Sequence, residues 1–273
     1  MSLLQSLPST EAPFETCVVM DVTYRVSDME SAVDAVLRRA QSGHGGYACL
    51  AGVHGVITAQ HRPELMTAFR HAWANFPDGE PVAWMMRKLG ASQTRRVAGP
   101  DLMPAVIEHG QDMGVRHFLF GSTPEVLDQL ERRLMERAPG AQIVGTMSPP
   151  FRSLSEEEEA RIVRKIRMSG ANIVWVGLGL PKQDEWMCRN AERLGPCLAM
   201  GVGAAFDFLS GTKRRAPAWM RARGLEWLHR MCSEPHRLGR RYVTTNSEFV
   251  VRASGTLIAQ RQRSITRTLK GGR

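Results

Sequence analysis

At 273 residues and 43% hydrophobic content, the chain can bury one substantial core and still supply a smaller second unit or a terminal extension. No run of eighteen apolar residues exists and Met1–Thr16 carries no basic n-region, so neither a membrane span nor an export leader is expected; five scattered cysteines without a C-x-x-C pair suit neither a zinc site nor a disulfide framework, and fit a reducing cytosol. The net charge of +9 divides unevenly: residues 213–273 hold fifteen Lys and Arg against three acids, whereas residues 1–212 are mildly acidic, so an anionic partner is expected for the tail.

Short apolar runs at Cys17–Tyr24, Tyr47–Val53, His117–Gly121, Gln142–Gly145, Asn172–Gly179 and Cys197–Gly203 predict strands. Helical patterns lie between them at Met29–Arg39, Pro63–Asn75, Pro124–Arg137 and Ser155–Met168, the last with a serine cap, acids in its first turn and bases later. This alternation predicts an α/β fold: a Rossmann-like core with a mostly parallel sheet over residues 1–212, followed by a basic helical C-terminal appendage over residues 213–273. In the appendage, prolines able to start helices predict Pro217–Cys232 and Pro235–Arg252, with a third helix to about Leu269. Met220, Trp227, Leu228 and Met231 would share one face of the first.

Three predicted strands end in glycine, at Gly121, at Gly177-Leu178-Gly179 and at Gly201-Val202-Gly203. Ligands of open α/β sheets bind beyond the carboxyl ends of strands, where glycine lets a ligand approach the backbone; tight strand-to-helix turns explain any one of these glycines equally well. Neither G-x-G pair grows into G-x-G-x-x-G, and no phosphate-binding G-x-x-x-x-G-K-[ST] occurs, which disfavours a nicotinamide enzyme and a P-loop nucleotidase. Asp78, in Asn75-Phe76-Pro77-Asp78-Gly79, is either a turn residue or a general base at the mouth of the cleft. Asp207, flanked by Phe206 and Phe208, reads as a structural partner ahead of a second catalytic acid. Pro181-Lys182-Gln183-Asp184-Glu185-Trp186 opens a helix whose N-terminus could offer Lys182 and Gln183 to phosphate or sugar.

Taken together, these segments resemble the bacterial WecG/TagA/CpsF family of glycosyltransferases from about Cys17 to Tyr242. The resemblance rests on Pro77-Asp78-Gly79, Gly99-Pro100-Asp101-Leu102, Phe118 to Pro124, Gly179-Leu180-Pro181-Lys182-Gln183, Gly201 to Gly211, Lys213 to Pro217, and Gly224-Leu225-Glu226-Trp227 to Arg241, in that order. It implies an inverting hexosyl or N-acetylhexosaminyl transferase with a nucleotide-sugar donor, usually UDP-linked, and an undecaprenyl-diphosphate-linked saccharide as acceptor. It also implies an appendage that touches the membrane and completes the active site.

Carried over by motif, Asp78 corresponds to the catalytic base, and Arg230, Arg237 and Arg240 to appendage arginines that reach the donor diphosphate. Substrate contacts are expected at His54, Gly79, Gly121, Lys182, Gln183, Asp184, Gly201, Gly203 and Asp207. Two positions depart from the pattern: Gly52-Val53-His54 stands where members commonly carry Thr-x-Asn, and Asp184 stands where glutamate is usual.

With no D-x-D triplet to hold a divalent ion, arginines are the available counter-charge for a leaving diphosphate, and neither a metal nor a cofactor is expected. The tail suits an anionic membrane surface, with Phe249, Val250, Val251, Leu257 and Ile258 available for shallow insertion, so the expected location is cytoplasmic and peripheral on the inner face of the membrane. The pattern is compatible with a homo-oligomer. A nucleic-acid-binding protein using the basic tail is the rival reading, but tryptophans and prolines interrupt that tail where a reading helix would be, and no nucleic-acid partner is expected.

Overall fold

The computed structural model describes residues 14–270, with the side chains of residues 222, 236–238, 240, 241, 261 and 263–270 outside that description. The expected contacts of Arg237 and Arg240, and most of the segment read for a leader, therefore lie outside the described residues.

The first apolar run is a hairpin rather than a strand of the main sheet: β1 (Thr16–Val19) pairs antiparallel with β2 (Val22–Arg25) as a two-stranded sheet of its own. Met20 and Asp21, at φ 48° and 62°, supply the left-handed pair that a two-residue hairpin loop uses. Helix α1 (Met29–Ser42) starts on a capping box between Asp28 and Ser31 and stops at left-handed Gly43. Strand β3 (Tyr47–Ala51) is buried throughout and leads into α2 (Val53–Gln60) and α3 (Pro63–His71).

The helix expected over Pro63–Asn75 stops at His71, because Ala72 turns extended and Ala74–Pro77 forms a strand, β4, paired with β3. The Asn75 amide then bonds the carbonyls of Thr23 and Phe69, stitching hairpin, helix and sheet together. Next come α4 (Glu80–Lys88) and α5 (Gly99–Gly110), then β5 (Arg116–Gly121), α6 (Pro124–Arg137), β6 (Gln142–Met147), α7 (Glu156–Met168), β7 (Ile173–Gly177), α8 (Lys182–Leu194), β8 (Leu198–Gly201) and the short α9 (Ala205–Leu209). Ser155 caps α7 reciprocally with Glu158, and Glu158 is held down to about 2 by its bond from Arg152.

All pairings in the main sheet are parallel, in the order β4-β3-β8-β7-β5-β6. One face is covered by α2, α3, α7 and α8 through Val56, Leu65, Phe69, Ile166 and Trp186, the other by α1, α5 and α6 through Val36, Leu102, Val106 and Leu130. The α/β architecture with a parallel sheet covered on both faces is thus the one expected.

The tail departs in detail. The single helix expected over Pro217–Cys232 is split into α10 (Ala218–Ala222) and α11 (Glu226–Ser233), because Gly224 turns left-handed at φ 70° between them. Met220 therefore belongs to a different helix from Trp227, Leu228 and Met231. The two helices expected beyond Pro235 are one continuous helix, α12 (Pro235–Lys270). It lies along α2, where Phe249 and Ala253 join the core cluster and Glu248 meets His61 at 2.8 Å. Phe249, offered above for membrane insertion, is 4% exposed and belongs to the core, and Leu257 packs against the same cluster; Val250, Val251 and Ile258 are exposed. Among the described residues no helix is long and apolar enough to cross a membrane.

Candidate functional site at the carboxyl edge of the sheet

After the neighbouring strands β3 and β8 the chain leaves by opposite faces of the sheet, into α2 on one and α9 on the other, and such a divergence opens a crevice above the carboxyl ends. The chain is crowded there. A Cβ at Gly52 would lie 2.3 Å from the carbonyl oxygen of Asp78, so only glycine lets the ends of β3 and β4 approach this closely. Gly121, at φ 127°, would press a Cβ within 2.6 Å of the Gly177 backbone, and one at Gly201 would meet Met187 Cε at 2.6 Å. At Gly121 and Gly201 the space is thus taken by protein, which accounts for glycine without a ligand.

Asp78 follows β4 directly. Its N–H donates to Ala51 O at 3.3 Å, and the Val97 N–H donates to Pro77 O at 2.9 Å, which sets Arg96 beside it. Gly79 then turns at φ 106° into α4. Asp78 is half-buried, and its carboxyl is pushed up to about 6, chiefly by loss of water; Arg96, Arg230 and Arg215 pull it down and Glu226 pushes it up. The buried Tyr24 hydroxyl, which has no hydrogen-bond partner among the described residues, is raised in turn by its burial and by the charge of Asp78.

Next to Asp78 lies a closed ring of alternating charges. Arg96 donates to Glu226 at 2.7 Å and to Asp101 at 3.1 Å; Arg215 donates to both Asp101 oxygens at 2.6 and 2.7 Å and to Glu226 at 3.0 Å. Arg221 stands 3.7 Å from Asp101. Neither Arg96 nor Arg215 was singled out in the sequence: Arg215, like Asp101 and Glu226, stood within a quoted motif, and Arg96 lay in none. Their signal was two Arg-Arg steps, Arg95-Arg96 and Arg214-Arg215, in which the neighbouring arginine hides the useful one: Arg95 only bonds nearby carbonyls, at Ser92 and Thr94.

The remaining expected residues divide. Arg230, on α11, lies over the Phe208 ring at 5.6 Å and within electrostatic reach of Asp78. Lys182 is exposed at the start of α8. His54, in the first turn of α2, has its Nδ1 3.2 Å from Thr58 Oγ1.

The other three turn toward protein. Gln183 is 3% exposed and accepts from the Gly203 N–H at 3.0 Å, so its amide shapes the turn after β8. Asp184 is fully buried; among the described residues its oxygens make no hydrogen bond of ordinary geometry, although the Cys49 thiol and the Gln183 amide bear on its charge, and burial pushes it up to about 7. Asp207 spends its carboxylate on Lys213 at 3.1 Å, and Lys213 reaches Glu234 at 3.3 Å. Among the described residues no three His, Cys, Asp or Glu side chains converge in a way that could hold a metal ion.

The geometry is that of a carboxyl with heightened proton affinity beside concentrated arginine, in the crevice of a parallel sheet, a combination suited to removing a proton while anionic oxygen is bound. The model of the glycosyl transferase WecG/TagA/CpsF family matches residues 17–263, further into α12 than the motifs alone reach. The chain therefore belongs to the WecG/TagA/CpsF family and is a glycosyltransferase.

Proposed function

We propose that this enzyme transfers a hexosyl or N-acetylhexosaminyl group from a nucleotide diphosphate donor, UDP-linked, to an undecaprenyl-diphosphate-linked saccharide, with inversion and without a metal, in cell-surface or exopolysaccharide biosynthesis. Residues 1–212 serve as the catalytic core and residues 213–273 as the appendage that closes over it. The observation that carries this reading is Asp78: a half-buried carboxyl pushed up to about 6, at the carboxyl edge of the sheet, within reach of Arg96, Arg215 and Arg230.

In a single displacement the Asp78 carboxylate takes the proton of the acceptor hydroxyl as that oxygen bonds to the anomeric carbon and the bond to the diphosphate breaks. Charge then gathers on the leaving phosphate oxygen. Arg230, with Arg237 and Arg240 of α12, would meet it with charge-assisted hydrogen bonds, and exposed Lys182 at the start of α8 adds a cation at a helix N-terminus. Gln183 and Asp184, being buried, act through the Gly203 turn and the helix packing rather than by touching sugar.

The basic tail and the exposed Val250, Val251 and Ile258 support docking on the anionic inner face of the membrane, where each Lys or Arg near the surface contributes about 1 kcal/mol. Asp78→Asn is expected to abolish transfer while UDP binding, followed by calorimetry, stays nearly unchanged; undiminished turnover in that variant would remove Asp78 from the mechanism. A chelator should leave the rate unchanged, and loss of activity restored by magnesium would refute the metal-free step.

A further inference from the structure

The charge ring joins two stretches that are far apart in the chain. Arg96 and Asp101 precede and open α5, while Arg215 and Glu226 belong to the tail, and each arginine contacts both acids. Backbone contacts seat the ring beside the proposed base. The Val97–Pro77 bond holds Arg96 at the end of β4, and Gly224, where a Cβ would come within 2.8 Å of Glu80 Cβ, lays the start of α11 against the residues that follow Asp78. Arg96 is 18% exposed and spent on Glu226 and Asp101; among the described residues none of its hydrogen bonds reaches Asp78.

We propose that Glu226 is a positioning residue for Asp78: anchored by Arg215, its carboxylate detains the Arg96 guanidinium and keeps that cation from closing on Asp78 as an ion pair, so that the seated tail leaves Asp78 free to accept a proton. The role rests on the reading of Asp78 as the base. Three arginines of the cluster, Arg96, Arg215 and Arg221, face two acids, Asp101 and Glu226, leaving one positive charge that an ionised Asp78 balances. Without the Glu226 charge the surplus doubles and Arg96 keeps one carboxylate partner, Asp101, in place of two. A poorly hydrated guanidinium that has lost half of its counter-charge is drawn to another carboxylate, and Asp78 is one within its electrostatic reach. A direct arginine partner holds an aspartate strongly ionised, which makes it a poor base.

The charged and titratable groups that bear on Asp78 are Tyr24 on β2, Arg96, Arg215, and Glu226 and Arg230 on α11; Asp101 on α5 and Arg221 on α10 belong to the adjoining ring, and the Glu80–Arg87 pair lies on α4, which follows Asp78. Burial alone would raise Glu226 and Asp101, but Arg215 and Arg96 together, with Arg221 at Asp101, outweigh it, so both acids stay ionised where Asp78 titrates.

The test is a carbon-13 NMR titration of the aspartate side-chain carboxyls in the full-length protein, with Asp78 assigned through Asp78→Asn. In Glu226→Gln, Asp78 is expected to bind its proton about tenfold more weakly. In an Arg96→Gln background the same Glu226 substitution is expected to weaken proton binding by well under half as much, the remainder being the direct repulsion between the two carboxylates. An unchanged Asp78 titration in folded Glu226→Gln, or the full effect persisting without Arg96, would overturn the proposal.

Should Glu226→Gln fail to fold, Glu226→Asp, which keeps the charge but withdraws it by one methylene, replaces it. Weaker proton binding at Asp78 is again expected, and an unchanged titration overturns. Because the readout is a proton and not turnover, it stands apart from the base assignment: transfer by Asp78→Asn would sink the assignment and leave this coupling measurable.

Discussion

Asp184 keeps its proton at a pH where an exposed carboxyl has lost it, since burial pushes it up to about 7. Its folded form binds the proton more tightly than the unfolded chain does, so this group favours folding in acid and withdraws that support as pH rises from about 4 through about 7. Asp184→Asn should therefore flatten the pH dependence of the thermal midpoint across that window, by an amount equivalent to at most about 4 kcal/mol. A parallel pair of curves would contradict the assignment. His117 works with the opposite sign: buried with Nδ1 accepting from Trp175 at 3.3 Å, it is pushed down to about 4, and its contribution is lost as pH falls from about 6.5 through that value.

Asp78 was legible because Pro-Asp-Gly marks a turn, although the strand that leads into it was read as the end of a helix. Arg96 and Arg215 were not, because the ring closes only through partners 130 and 114 residues away, which no local period records. Asp184 was legible as a helix-start residue, but as the third residue of α8 its side chain turns inward, which composition alone does not reveal.

Where β3 and β4 end together, steric room rather than chemistry limits what can change. Gly52→Ala should cost about 2 kcal/mol or more and lower transfer as well, since the new methyl must push the Asp78 carbonyl from 2.3 Å to an ordinary contact. Denaturant unfolding together with turnover checks both losses; a variant of parental stability and rate would show the strand ends to be free to part. The same local geometry explains which elements could be read. The β-α alternation of β5 through β8 was plain because each strand is a near-continuous apolar run and each following helix carries its own starting residues. The hairpin was hidden because its turn uses Met20 and Asp21 rather than Asn-Gly. Helix α5 was missed because it opens on Gly99-Pro100 and holds Pro104 inside, residues that interrupt a helical pattern in the sequence.

The tail is seated on the core by two different means, the charge ring near Asp78 and the Phe249–Ala253 face of α12 on α2, so removing it would uncover apolar surface as well as arginines. Phe249→Ala should destabilise the fold by about 3 kcal/mol. Joint replacement of Val250, Val251 and Ile258 by glutamate should leave the thermal midpoint nearly unchanged yet weaken sedimentation with phosphatidylglycerol vesicles at least tenfold; equal binding would place the membrane contact elsewhere.

Proton transfer to Asp78 joins the sheet, the tail and the chemistry, and the pH dependence of kcat/KM for transfer from a UDP-sugar that raises the protein's melting point tests it most directly. The rate should climb as pH rises through about 6 and then level, following the ionised fraction of Asp78. A rate that stays level from pH 5 to about 8, across the whole span in which that carboxyl ionises, would contradict its role as the base.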